Sequence, residues 1–359
     1  MHQIEGAPRF GWNEIMTLAF EQKSMIGTAP TPRIASFYRD KAAIFLGDAM
    51  SYYGQWPRPT VILSDGPYGL GSYPGDPPTP DALAEFYAPH VAAWSEYALP
   101  SATLWFWNSE LGWANTHSII ASLGWEYRSC HIWDKGIGHI AGNCNGQTIR
   151  KFPVTTEVCV QYVKQVTFRV NGHTLSMKQW LRHEWHRSGL PLSKANEACG
   201  VKNAATRKYF TQCHMWYFPP PEAFEALVQY ANKHGKRGGR PYFSLDGKQP
   251  ITGEQWEGMR AKFNFRSGIT NVWQEPAVRG SERLKKNYKC LHMNQKPLKI
   301  LEMCIEATSD AGDVVWEPFG GLCSGTIAAH RLGRRAFAAE VNPQYFELAM
   351  KRLDSYDIC

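Results

Sequence analysis

Two short motifs, each closing an apolar run, constrain this chain more than any other feature. Asp65-Gly66-Pro67-Tyr68 follows Val61-Ile62-Leu63, and Glu317-Pro318-Phe319-Gly320-Gly321 follows Val314-Val315-Trp316 near the other end of the sequence. A β-rich run that stops at a Gly/Pro turn predicts a buried strand, and in open α/β sheets ligands bind where such strands end. The first motif can present a carboxylate, carbonyls and a ring to a planar amine. The second can wrap backbone around a nucleoside. The amine motif comes first and the glycine turn last, so the fold must bring distant segments together.

The pattern between residues 42 and 164 is short β-rich runs separated by helix-like stretches, which predicts parallel strands with crossovers. The strand candidates are Ala43 to Leu46, Val61 to Leu63, Thr103 to Trp107, Tyr127 to Trp133 and Val158 to Val163. Asp81 to Tyr97 predicts a helix through Leu83, Phe86, Val91 and Trp94. From 165 to 289 charges and turn residues rise, and Lys236-Arg237-Gly238-Gly239-Arg240-Pro241 breaks regular structure, so this segment reads as an insert. Beyond it Pro297 opens a helix, a strand and glycine turn follow, and Asn342-Pro343 caps a last helix. The expected division is 1–164, 165–289 and 290–359.

In the second motif the glycines allow close backbone approach, and the helix predicted after them offers free N–H groups. Glu340 ends the next strand, where doubly wound folds hold a ribose. Neither a G-x-G-x-x-G fingerprint nor a P-loop lysine is present, which disfavours NAD and ATP. Glu317 is placed to meet a cationic centre, and Asn294-Gln295-Lys296-Pro297 to add polar groups at the ligand's tail. At the first motif, Asp65 and the Gly66 carbonyl can each accept an N–H of an amine while Tyr68 stacks on its ring. An amine attacking a sulfonium methyl needs orientation and charge stabilisation, not a covalent nucleophile. Asp76-Pro77-Pro78 lacks the strand and the aromatic, and reads as a stiff loop.

These elements resemble the amino-group DNA methyltransferases, whose signature is D/N/S-P-P-Y/F. Asp65-Gly66-Pro67-Tyr68 matches all of it but the first proline. Glu317 to Gly321 with Ser324-Gly325-Thr326 is similar to the family's D-P-F-x-G-S-G-T loop, with Glu317 for aspartate and Leu322-Cys323 as additional residues. Gln295-Lys296-Pro297, Gly47-Asp48 and Glu340 match further elements, in the order of the permuted β class. The resemblance implies a doubly wound Rossmann-like α/β fold with S-adenosylmethionine as methyl donor. It also implies double-stranded DNA as partner, and methylation of an exocyclic amine on a base rotated out of the stack. The aspartate leans towards N6-adenine, with N4-cytosine as the alternative; RNA or protein amine methylation and a non-catalytic DNA-binding role are weaker readings. A cognate restriction endonuclease and a homodimer stay open.

Within the insert, Leu192 to Val201 followed by Lys202 to Phe210 is similar to a helix-turn-helix, with Ala195, Val201 and Phe210 facing inward. Lys194, Lys202, Asn203, Thr206, Arg207 and Lys208, with Lys236, Arg237 and Arg240, are the candidate DNA contacts. A further basic run comprises Arg279, Arg283, Lys285, Lys286 and Lys289. His183-Glu184-Trp185-His186 lacks a third ligand and carries no metal assignment.

Bulk composition sets outer limits. With 359 residues, 43% hydrophobic, the chain can bury a core and exceeds the usual single domain. Its net charge of +7 is modest, and the clustering of basic residues says more than the total. The nine cysteines are scattered and none forms C-x-x-C, which argues for reduced thiols and against a zinc module. Met1 to Glu5 shows no leader pattern, and no apolar run approaches about 20 residues, so a soluble cytoplasmic protein is expected.

Overall fold

A computed structural model describes residues 36–355 apart from 72, 74, 141–146, 214, 280–281, 284, 287–288 and 291–294. The chain begins with β1 (Ser36–Arg39), β2 (Ala42–Leu46), β3 (Val61–Ser64), α1 (Leu83–Tyr97), β4 (Thr103–Asn108), α2 (Glu110–Ser122), β5 (Trp125–Asp134) and β6 (Thr156–Lys164). Next come the hairpin β7 (Thr167–Val170) and β8 (His173–Ser176), then α3 (Met177–Arg187), α4 (Lys194–Ala198), α5 (Ala204–Lys208), α6 (Pro221–His234) and α7 (Gly253–Glu257). It closes with β9 (Val272–Gln274), β10 (Lys285–Lys286), β11 (Lys289–Cys290), α8 (Leu298–Thr308), β12 (Val314–Glu317), α9 (Ser324–Arg331), β13 (Arg335–Glu340) and α10 (Pro343–Ser355). Gln165–Arg260 belongs to one compact unit; the segments ending at Lys164 and starting at Ala261 form the other.

The larger unit is built on a nine-stranded sheet in the order β1-β2-β13-β12-β3-β4-β6-β5-β9. Alternation along each strand decides its two faces. Ile44, Val61, Leu63, Trp105 and Trp107 pack with Leu301 and Ile305 of α8, Ile327 of α9 and Phe346 of α10. Ala43, Ile62, Leu104 and Phe106 pack with Tyr87, Val91 and Trp94 of α1 and Ile120 of α2. Helices on both faces make this the doubly wound α/β fold expected.

Three details correct the sequence reading. The strand expected at 158–163, β6, lies antiparallel between β4 and β5, whereas parallel strands with crossovers were expected. Residues 261–289, expected within the insert, group with the larger unit, because β9 pairs in parallel with β5. Val201, expected to face inward, is exposed.

The smaller unit has its own core, including Trp180, Leu181, Trp185, Phe224, Phe243 and Trp256. Ser176 and Gln179 form a capping box that starts α3, and its apolar residues recur on one face. Asn196 of α4 accepts a hydrogen bond from the Thr206 amide of α5 at 3.1 Å, tying the two short helices together. Among the described residues no helix is long and apolar enough to cross a membrane.

Candidate active site

β12 lies between β13 and β3, with Val315 opposite Val61 and Trp316 opposite Ile62. This pairing carries Glu317 and Asp65 to the same sheet edge, although hundreds of residues separate them. The antiparallel β6 starts at that edge too, which brings Glu157 there through its pairing with Trp133. Asp48 follows β2, and its side chain accepts from the Met50 amide at 2.9 Å.

A cavity of about 780 Å³ opens along this edge, lined by Asp48, Asp65, Gly66, Pro67, Tyr68, Phe319, Gly321 and Glu340, among others. Both motifs therefore face one space. A Cβ on Gly66 would fall 2.5 Å from the Phe319 ring and 2.5 Å from the Tyr87 hydroxyl. Proline, the signature's residue at this position, carries that Cβ, so the departure to Gly66 matches the close seat of Phe319. Tyr87 and Asn108 donate to the Pro67 carbonyl, each at 3.0 Å, and so fix the loop from beneath. Asp76 accepts from the Gly69 amide at 2.8 Å and the Leu70 amide at 3.1 Å, so the expected stiff loop braces the amine motif.

Asp65 does not stand alone. Its Oδ1 accepts from Lys296 Nζ at 2.7 Å, and the Tyr68 hydroxyl lies 3.0 Å away. That hydroxyl also lies 2.9 Å from Glu157 Oε2, and Lys296 Nζ is 3.2 Å from the same oxygen. Lys135 closes the far side with Nζ 2.5 Å from Glu157 Oε1. Burial raises the Asp65 pKa and Glu157 adds to the rise, while Lys296 opposes it; the net shift is upward. Burial also works against an ionised Glu157, but Lys296 and Lys135 outweigh it and hold that carboxyl at about 2. The two acids thus have separate parts: Glu157 carries the negative charge that balances the lysines, and Asp65 keeps Oδ2 outside this network. Lys296, expected at the ligand's tail, is 2% exposed and fixed to the amine motif instead. Lys135, at a strand end read as able to border the pocket, is there through Glu157, whereas Glu157 was missed because it sits in no motif.

The glycine turn is held as tightly. Glu317 Oε1 accepts from the Gly325 amide at 2.8 Å, and Oε2 from the Thr326 amide and hydroxyl at 2.7 Å each. Its carboxylate, expected to meet a cationic centre, therefore caps α9, and burial lifts its pKa to about 7. Gly325 and Thr326 serve this capping, and Ser324 Oγ accepts from Arg352 at 2.7 Å. A Cβ on Gly320 would lie 2.9 Å from both the Ala339 carbonyl and Cys323 Sγ, so only glycine lets the turn approach β13. The additional residues Leu322-Cys323 make the turn into the helix, with Cys323 at φ 53°. Glu340 accepts from the Gly321 amide at 2.6 Å and the Asn342 amide at 2.7 Å, and burial raises its pKa. A small recess of about 40 Å³ behind the turn is lined by Asp65, Gln295, Lys296, Glu317, Gly320 and Ser324, among others. Asn294 lies outside the described residues.

In the smaller unit Lys202, Asn203, Arg207 and Lys208 are exposed on α5 and the turn before it, as are Lys236 and Arg237. Thr206 is turned onto Asn196, and Lys194 pairs with Glu197 at 2.5 Å. Arg240 differs from the expected free contact: it meets the fully buried Glu184 at 2.7 Å, as Arg187 does from the other side. Glu184 also accepts from the Phe243 amide at 2.8 Å, which accounts for that acid without a metal.

The DNA methylase family matches residues 60–351, and the chain belongs to that family. It is 35% identical over 92 residues to the DNA adenine methyltransferase YhdJ of Escherichia coli (strain K12), covering 26% of this chain and 30% of that protein. It is 38% identical over 128 residues to the type II methyltransferase M2.DpnII of Streptococcus pneumoniae, covering 36% of this chain and 41% of that one. The matched stretches thus span less than half the length of either relative. The PvuII DNA methyltransferase, described as cytosine-N4-specific, shares the fold: TM-score 0.51 at 12% identity, over 89% of this chain and 87% of that one.

Proposed function

We propose that this chain is a site-specific DNA methyltransferase that uses S-adenosylmethionine to methylate an exocyclic amine, N6 of adenine first, on a base rotated out of the duplex. The observation that supports this most is the shared cavity in which Asp65 and Tyr68 face Phe319 and Glu340. The cavity fits an adenosyl cofactor: Asp48 and Glu340 are acceptors for ribose hydroxyls, Phe319 supplies an aromatic wall, and Gly321 a wall without side chain. S-adenosylmethionine, when bound, supplies an electrophilic methyl group.

The chain's own residues supply the orientation. With Oδ1 held by Lys296, Asp65 offers Oδ2 to one N–H of the amine, and the Gly66 carbonyl takes the other. Two acceptors draw the nitrogen lone pair towards the methyl and stabilise the positive charge that grows on it. The Tyr68 ring, pinned through its hydroxyl, stacks on the base. The proton that the methylated amine sheds would pass to Asp65 Oδ2 and then to water. The upward shift at Asp65 makes it a better acceptor than an exposed carboxylate. Lys202, Arg207 and Lys208 are assigned to phosphates and base edges of the duplex, with Lys236 and Arg237 as outer phosphate contacts.

The aspartate in first place and the adenine-specific relative favour adenine. Labelled-methyl transfer to DNA, followed by sequencing that reads modified bases, tests activity and target together. N6-methyladenine at one short sequence is the expected product. N4-methylcytosine would transfer the reading to the alternative base, and labelling of RNA or protein alone would refute it.

A further inference from the structure

The loop from β5 to β6 leaves the sheet beside the amine pocket. Its stem is fixed by pairing of Asp134 with Thr156, by the Lys135 amide donating to the Thr155 carbonyl at 3.0 Å, and by Thr155 Oγ1 donating to Asp134 at 3.0 Å. Immediately inside the stem, Lys135 and Glu157 belong to the network that holds Tyr68.

The described outer residues of this loop include large apolar side chains left in solvent. Phe152 is 95% exposed, Ile137 76% and Val154 50%. Arg150 and Lys151, immediately before Phe152, are exposed as well. A phenylalanine left in water forgoes one of the larger apolar gains available to a side chain, and exposed apolar groups interleaved with cations mark a surface made for a partner. Phe152 lies five positions before Glu157, a reach of at most about 17 Å when extended.

Resting on the methyltransferase reading above, we propose that Phe152 enters the DNA base stack at the gap left by the everted nucleotide, with Arg150 and Lys151 on the flanking phosphates. A rotated-out base leaves its former neighbours without a stacking partner, and an aromatic ring restores that contact. Two cations beside the ring suit the phosphates that flank such a gap. Through Glu157 the stem of the loop is joined to Tyr68, which lines the pocket that receives the base, so one docking event serves both ends of the rotation.

The test uses the full chain with S-adenosylmethionine and two duplexes carrying its mapped target sequence, one fully paired and one with an abasic site opposite the target base. Phe152→Ala should transfer methyl to the paired duplex about tenfold more slowly than the wild type, because eversion is no longer compensated. On the pre-opened duplex it should come within about threefold of the wild type, because little unpairing remains to be offset. An unchanged rate on the paired duplex, or equal loss on both, overturns the proposal. So does a change of oligomeric state in Phe152→Ala, which would make the ring a contact between copies. A wild type inactive on both duplexes would instead defeat the methyltransferase reading itself.

Discussion

Asp65 has two oxygens, and the site treats them differently. Oδ1 is committed to Lys296 and Tyr68, and Oδ2 stays outside that network, the oxygen assigned above to the amine under the proposed function. Transfer should require the ionised form, so activity is lost as pH falls through the Asp65 pKa, which burial raises from its ordinary value. Lys296, Glu157 and Tyr68 face this carboxylate directly, and Glu157 contributes to the upward shift. Replacing Glu157 by Gln removes that contribution, so the acid limb of kcat should move to lower pH while kcat falls about tenfold. A pH–rate profile of the variant checks this; an unmoved limb would leave Glu157 a structural role only. Gly66→Ala should cost roughly 1–3 kcal/mol through overpacking against Phe319, readable as a fall in Tm. Asp65, Tyr68 and Phe319 were legible because short strand-end motifs carry them. Glu157 was not, because its position depends on a cross-strand partner, Trp133, that no local pattern names.

Helix α9 and strand β12 form the element on which the glycine turn depends, joined by the Glu317 carboxylate. Glu317→Ala would leave the Gly325 and Thr326 amides unsatisfied in a buried place, at about 1–3 kcal/mol. The pH dependence follows from the shift from 4.5 to about 7. A folded-state pKa above the unfolded one favours folding most below 4.5, and that contribution is lost as pH rises through about 7. Wild-type stability should therefore decline across that window relative to Glu317→Gln, as chemical denaturation at several pH values would show. The individual strands were legible from their apolar runs. Their directions were not, because β6 is buried on both faces and its run reads the same either way along the sheet. β9, only three residues long, offered too little pattern to be separated from the insert.

At the scale of the whole molecule, a sheet ordered β13-β12-β3-β4 unites the start and the end of the chain, with a separately folded unit between them in sequence. That unit supplies exposed cations, so duplex affinity should fall at least tenfold between 50 and 200 mM salt, while S-adenosylmethionine affinity changes little. Arg207→Glu should weaken DNA binding without lowering Tm. Arg240→Ala should do the reverse, at about 1–3 kcal/mol, because it strips a partner from the buried Glu184. The fold class was legible from alternating elements and two motifs, whereas the adjacency of β12 and β3 is a long-range pairing without a local signal. The central claim, that these two motifs serve one reaction in one crevice, is tested most directly by Asp65→Ala measured for cofactor binding and methyl transfer in parallel. The account predicts S-adenosylmethionine binding within about threefold of the wild type and transfer to DNA reduced by a factor of about 100 or more. Transfer at the wild-type rate would contradict it.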